Sequence, residues 1–464
     1  MADMFSKSYN QVKKDWEKIG KLYVSPEVVE KGNGFDSCLG FYDPGKKVMV
    51  KRRNLSVENL EKSEREYSIL EDCEKHENIL NWITLDKNDE FSYMSEERWS
   101  FTLEKLVNYF RSTKTTTKLP CPKPLEQYII NTGMNLGKDI DALMLKLMED
   151  VAKGLNHLHE MGFFHRDLNP QNVVIVCGRK SMTAKIANFC TTERISINRR
   201  RSKVTTINHY TTGFQPPEQI KNNNLRKIDG VGITPETLKV DLFSFGCVIF
   251  YSLTLGEHPF GAPHGSIPQV CESYICRNQL ALHHCKTEEA KVLVAKLLHH
   301  TPSARITITS ALHDPLFWSF EKKLAFFKDV SEIMEKQEAT GQMLESFLEV
   351  ERQNVIGTAT SWGTLIDPQL VTYITDPTNP NRIDPNRLMH ANVRRLVRLI
   401  RNHHSHFIQL PANIQALYRG TVQGLEEYYR ETFPRLLMTV YSVVIMHKNV
   451  VGSEFGEYIT KYYA

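Results

Sequence analysis

Residues 22 to 53, LYVSPEVVEKGNGFDSCLGFYDPGKKVMVKRR, read as short β-rich runs broken by glycine turns. The turn signal DPGK between two such runs predicts a hairpin. SEREYSILEDCEKH then changes to helical spacing, with Tyr67, Leu70 and Cys73 near one face. NILNWITLDKNDEFSYMSEE predicts two more strands, and TKLPCPKPLEQ a loop insertion. From about residue 138 to about 317 the spacing is mostly helical. A small β-rich lobe is therefore followed by a larger helical one. The pattern shifts again at LFWSFEKKLAFFKDVSEIMEKQ, where Phe320, Leu324, Phe327 and Met334 recur at helical spacing. Residues 350 to 386 are rich in Pro, Asn, Thr and Asp, which predicts long loops, and 388 to 401 and 425 to 446 again predict helices.

Composition changes this picture little. The 464 residues allow two or three domains, and 41% hydrophobic with 24% charged residues is an ordinary soluble balance. Net charge is only +4, so affinity for nucleic acid has to come from a local patch. The nine cysteines are scattered without paired zinc spacing and read as free thiols of a reducing compartment. The N-terminus lacks the apolar core of a signal peptide, and the longest apolar run, LFSFGCVIFYSLTL, is too short to span a bilayer. These points predict a cytoplasmic protein with no membrane segment.

An ordered set of motifs runs through the first two lobes. The glycine turn reads Gly32-Asn33-Gly34-Phe35-Asp36-Ser37. Lys51 follows in VMVK, and Glu66 precedes an apolar helical run. His165-Arg166-Asp167 leads to Asn172, and KIANFC places Asn188 ahead of Phe189. Asp241 lies in VDLFSFG, Pro217-Glu218 in FQPPE, and Arg305 in SARIT. In order and spacing these residues resemble a protein kinase. The resemblance implies that Lys51 contacts nucleotide phosphates, Glu66 pairs with Lys51, Asp241 braces the catalytic loop and Arg305 pairs with Glu218. Gly32, Gly34, Lys51, Glu66, Asp167, Asn172 and Asn188 would line an ATP or ADP site. Three departures count against phosphoryl transfer. Ser37 replaces the third glycine, Asn169 stands where a kinase has lysine, and Asn188 replaces the metal-binding aspartate. Magnesium is a hard cation that favours anionic oxygen, and an amide is a weaker ligand. The expectation is a pseudokinase whose magnesium site is weak or absent. Arg199, Arg200 and Arg201, near Ser202, Thr205 and Thr206, read as a solvated basic loop, with a phosphosite region as the other reading.

The C-terminal third carries a different chemistry. Between Arg382 and His406 there are six arginines, four histidines and one aspartate. At helical spacing Arg394, Arg398 and Arg401 share one face, while Val393, Leu396, Val397 and Ile400 lie mostly on the other. A basic stripe backed by an apolar one can hold phosphates while docked on a core. RLVRLIRNHHSHFIQLP, with LFWSFEKKLAFFKDVSE before it and YYRETFPRLLMTVYSVV after it, resembles a ribonuclease domain fused to two kinase-like families. These are the endoplasmic-reticulum stress sensor that splices messenger RNA, and RNase L. The resemblance implies an α+β bilobal protein-kinase fold followed by an all-α ribonuclease domain of KEN type. It places an N-terminal extension at 1–21, the kinase-like domain at 22–318 and the ribonuclease domain at 319–464.

For function, the resemblance implies metal-independent RNA cleavage, activated by homodimerisation through a nucleotide-sensing kinase-like domain. The ribose 2′-hydroxyl would attack the adjacent phosphorus, leaving a 2′,3′-cyclic phosphate and a 5′-hydroxyl. Arg401 would stabilise the phosphate, Asn402 would position the RNA, and His406 would be the general acid. His403 and His404 stand where the stress sensor has lysines, and could supply an auxiliary base or bind phosphate. Leu388 and Arg395 depart from the family at a tyrosine and an aspartate. They motivate an alternative: a scaffold with both domains inactive that binds related partners. An active kinase is a third reading. No ankyrin array or luminal domain is recognisable, so an upstream sensor or a related kinase/ribonuclease is an expected partner.

Overall fold

The computed structural model describes residues 9–12, 15–32, 34–195, 211, 213–228, 237–261, 268–336, 339–379, 383–385, 388, 392–447 and 461–463. Asn33 and the basic loop from Arg199 to Thr206 lie outside them, as do Arg382, Arg387 and His390. The chain forms two compact units. The first comprises Met1–Lys286 with Leu293–Leu312, and the second Thr287–Val292 with His313–Ala464.

The first unit opens with a six-stranded sheet built from β1 (Glu17–Ile19), β2 (Leu22–Gly32), β3 (Phe35–Tyr42), β4 (Lys46–Asn54), β5 (Trp82–Lys87) and β6 (Phe91–Glu97). Its order is β1-β2-β3-β4-β6-β5, antiparallel throughout. Strand β1 begins ahead of residue 22 because Trp16 and Ile19 are buried against the sheet. Pro26 lies in β2 where the register shifts between Val24 and Val28, a bulge that tolerates its missing N–H. Helix α1 (Val57–Asp72) is capped by Ser56, whose hydroxyl accepts from the Asn59 amide. Its buried face runs through Ser63, Glu66, Ile69 and Leu70. Tyr67, expected on that face, is half-buried against Trp82 at 4.4 Å.

The helical part is built on α2 (Ile140–Glu160) and α3 (Lys239–Leu253). Helix α3 is buried on all sides from Val240 to Phe250, the signature of a core helix rather than an amphipathic one. The TKLPCPKPLEQ segment is only partly loop. Lys123–Thr132 forms a helix with proline in its first turn, and Gly133 closes it with φ +68°.

The second unit is helical around one core. Its main helices are α4 (Phe320–Glu335), α5 (Ala339–Val350), α6 (Val393–Ser405), α7 (Val422–Thr432) and α8 (Leu436–His447). Trp318, Phe326, Tyr441 and Tyr462 form an aromatic cluster with ring centroids 5.1 to 6.2 Å apart. The expected long loops of 350–386 are largely ordered elements. Arg352–Ile356 and Pro368–Thr375 are helices, and Trp362–Thr364 is a 3₁₀ turn. Asp367 accepts from the Gln369 amide and Pro368 begins the helix. Asp-Pro, read as a loop signal, is here a cap followed by a first-turn proline. Trp362 is buried, and its indole N–H donates to the Asn392 carbonyl at the start of α6. Among the described residues, no helix is long and apolar enough to cross a membrane.

Close approach limits one position in α2 severely. A Cβ added at Gly154 would lie 2.5 Å from the Asn78 carbonyl oxygen, which already accepts from the Ile186 amide. Gly154→Ala is expected to cost about 1–3 kcal/mol by overpacking. A chemical-denaturation midpoint equal to the parent's would refute the close packing.

Candidate functional site

Strand β4 places Lys51 inside the first unit, 2.7 Å from Glu66 of α1. The second Glu66 oxygen receives Arg53 at 2.8 Å, and the Phe189 amide donates to the first at 2.9 Å. Burial alone would raise the Glu66 carboxyl, but Lys51 and Arg53 outweigh it and hold it down at about 2. Glu96, at the end of β6, lies 3.9 Å from Lys51. Burial pushes its carboxyl up to about 7 against the pull of Lys51.

Asn188 has φ +66°, a left-handed conformation that asparagine tolerates. Its side-chain oxygen accepts from Lys51 at 3.2 Å, and its amide donates to the Asn172 side-chain oxygen at 3.1 Å. Asn172 in turn donates to Asp167 at 2.9 Å. The Asp167 carboxylate also accepts from the Thr211 backbone at 2.9 Å and from Asn169 at 3.3 Å. Burial raises its carboxyl against these donors. These residues do not fit magnesium. The Asn172 oxygen expected to ligate the metal is bonded to the Asn188 amide, and Asn188 supplies a neutral oxygen already shared with Lys51. Asn169 closes the loop, accepting from the Gln171 and Asn172 amides. Asp241 accepts from the His165 and Arg166 amides, each at 2.7 Å, and Arg305 holds Glu218 bidentately at 2.6 and 2.9 Å.

In the second unit, α6 buries Val393, Leu396, Val397, Leu399 and Ile400. Its basic face is not an open phosphate stripe. Arg394 bonds Glu335 at 3.3 Å and Glu345 at 2.7 Å, and Arg398 bonds Glu335 at 3.1 Å. Carboxylates of α4 and α5 already neutralise both cations. Arg401 differs: its guanidinium donates twice to the Asn402 side-chain oxygen, at 3.1 and 2.8 Å. Asn402 also accepts the backbone N–H of His406, the C-cap of the helix. The His406 ring is exposed and lies 3.1 Å from Gln409 Oε1 through Nδ1. The end of α6 therefore gathers Arg401, Asn402 and His406.

The expectation for His403 is corrected. Its ring is 4% exposed and bonds the Tyr418 hydroxyl at 2.8 Å and the Tyr429 hydroxyl at 3.2 Å. Burial pushes the imidazole down to about 4, so it is a neutral core group that cannot reach a phosphate. His404 is half-buried, and burial with the nearby Lys328 charge lowers its imidazole too. Leu388 packs in the core beside Gly363. Sequence spacing signalled neither the Tyr418–Tyr429 pair nor Glu335 and Glu345, because each comes from a separate segment of the chain.

A bilobal unit with kinase-like loops, joined to a helical unit with an Arg-Asn-His helix end, defines a protein kinase domain coupled to a ribonuclease domain. The protein kinase domain model matches residues 42–317, and the ribonuclease 2-5A model matches 323–459. The chain belongs to the family that joins these two domains, with ATP-binding kinase-like folds and RNA-processing endoribonucleases among its members. It is 32% identical over 457 residues to the Arabidopsis thaliana serine/threonine-protein kinase/endoribonuclease IRE1a, covering 93% of this chain and 50% of that protein. It is 29% identical over 443 residues to the inactive serine/threonine-protein kinase/endoribonuclease IRE1-like of the same plant, covering 92% and 76%. Human serine/threonine-protein kinase/endoribonuclease IRE2 is 25% identical over 426 residues, covering 90% and 41%. The chain spans about half the length of the first of these relatives.

Two titrations test the electrostatics. Because the Glu96 carboxyl is raised, its contribution to stability is present below its unfolded value near 4.5 and is lost as pH rises towards about 7. Glu96→Gln should therefore gain stability on the parent between pH 5 and pH 8, by about 1–3 kcal/mol. Equal pH slopes in chemical denaturation would contradict this. For His403, the ring resonances should titrate near 4 by NMR, and a midpoint near 6.5 would return it to the surface.

Proposed function

We propose that the chain is a metal-independent endoribonuclease, leaving 2′,3′-cyclic phosphate and 5′-hydroxyl ends. One observation carries this reading: Arg401 bonded to Asn402, and an exposed His406 capping the same helix end. Arg394 and Arg398 before them are tied to glutamates, and Arg401, bonded to Asn402, is the cation assigned to the phosphate. In the transition state, negative charge grows on the non-bridging oxygens, where Arg401 donates. His406 hands a proton to the departing 5′-oxygen. Gln409 engages Nδ1 at 3.1 Å, which leaves Nε2 to give that proton. With His403 in the core, His404 is the remaining candidate to take the 2′-hydroxyl proton, since burial keeps it neutral.

The kinase-like unit serves this nuclease as a platform for homodimerisation and nucleotide sensing rather than as a phosphotransferase. Asn188 and Asn172 are bonded to each other, and Asp167 is capped by Thr211. None of the nine cysteines forms a disulfide, which suits the reducing cytoplasm. RNA is the substrate, and an upstream sensor or a related kinase/ribonuclease is the further partner.

The second reading is a non-catalytic scaffold that pairs with related proteins. The buried leucine at 388, where the stress sensor carries tyrosine, favours it, and so does the relative named as inactive. The two readings part on one assay. Purified chain is incubated with a labelled RNA stem-loop in EDTA over a range of protein concentrations. Cleavage should rise more steeply than linearly with protein, leave cyclic phosphate ends, and fall about 10²–10⁴-fold in His406→Ala. Dimerisation without cleavage at any concentration selects the scaffold.

A further inference from the structure

The kinase-like cleft has an occupant of its own. The hairpin between β2 and β3 turns through Gly34 at φ +79° and sends Phe35 back into the cleft, which it lines with Lys51, Glu96, Trp99 and Asn188. The Phe35 ring lies 4.5 Å from Lys51 Nζ and 5.5 Å from Arg53 Cζ. Gly32, expected to line the nucleotide site, instead makes room for this ring. A Cβ at that position would stand 2.1 Å from Phe35 Cζ.

The space left is small. Trp99 is only 5% exposed, and the cleft retains about 60 Å³, against roughly 300 Å³ or more for pockets that hold cofactor-sized ligands. Lys51 has its full set of neighbours: Glu66 at 2.7 Å, Asn188 at 3.2 Å and the Phe35 face. A nucleotide does not fit this arrangement beside Phe35. The Asn172–Asn188 bond closes the metal position separately.

We propose that Phe35 is an intramolecular plug that competes with a nucleoside polyphosphate for Lys51, so that the cleft takes nucleotide, without a divalent metal, only after Phe35 has swung out. An aromatic face over an ammonium, withdrawn from water, is among the stronger contacts of its kind. A competent state populated only in part weakens apparent affinity by that fraction. Removing the plug therefore strengthens binding. The inference rests on the nucleotide-sensing role assigned above and is independent of RNA cleavage.

The test is isothermal titration of the full chain with ATP, in EDTA and again in excess magnesium, for the parent, Phe35→Ala and Phe35→Leu. Phe35→Leu keeps an apolar side chain without the π face and stands in if the alanine variant does not fold. Binding about 10- to 30-fold tighter than the parent's in either variant, with no gain from magnesium, is the expected result. Equal or weaker binding in the variants overturns the plug while leaving nucleotide sensing intact. Tighter binding with magnesium overturns the metal-free cleft. No binding by parent or variants at millimolar ATP overturns both the plug and the sensing role.

Discussion

One buried carboxylate organises the kinase-like unit. Glu66 has no exposed surface and is shared between Lys51, Arg53 and the Phe189 amide. From it a continuous line of hydrogen bonds runs through Lys51, Asn188, Asn172 and Asp167 to Thr211. The line joins strand β4, helix α1, the catalytic-like loop and the segment beyond it. Removing one partner of a buried ion pair strands the other and costs about 3–5 kcal/mol, so each member is held in place by the next. Asn188 makes physical sense in this setting. An aspartate there would add a further buried negative charge near Asp167, which a metal ion normally offsets. An amide carries no charge, accepts from Lys51 and donates to Asn172, and so joins the same two elements without an ion.

The ribonuclease-like unit solves a different problem. Helix α6 is strongly cationic, with no acidic residue in its first turn to offset the positive end of its dipole. Glutamates from other helices supply the missing charge: Glu349 accepts from the Val393 amide, and Glu335 and Glu345 hold Arg394 and Arg398. The same contacts dock the helix. What remains for chemistry is its last turn, where no carboxylate among the described residues pairs with Arg401. The His403–Tyr418–Tyr429 cluster lies directly beneath, three polar groups that satisfy one another inside the core. Its effect is to fix the backbone from which Asn402 and His406 project.

Local pattern made much of this legible. The strand-turn-strand run and the apolar face of α6 follow from spacing, and the Lys51–Glu66 pair and the brace at Asp241 are what the kinase resemblance implies. What escaped depends on tertiary partners. Asp367-Pro368 looks like a loop until a helix follows it. Arg394 and Arg398 look like phosphate ligands until α4 and α5 bring Glu335 and Glu345 to them. His403 looks like its neighbours His404 and His406, yet two tyrosines from a later helix and its preceding turn draw it inside. A histidine's chemistry is set by its burial, and sequence distance hides which elements will cover it.

Gly32 shows how one local signal can serve two ends. Glycine in a turn before a strand lysine reads as room for a phosphate, because a missing Cβ allows close approach. The same missing Cβ admits an aromatic ring from three residues onward. Both readings ask for the same residue, and only the ring's position separates them. With Phe35 against Lys51, the cation that would meet a nucleotide's phosphates is satisfied within the chain. For the nuclease proposed above, such a unit is a platform whose internal bonds require neither a metal ion nor phosphoryl chemistry.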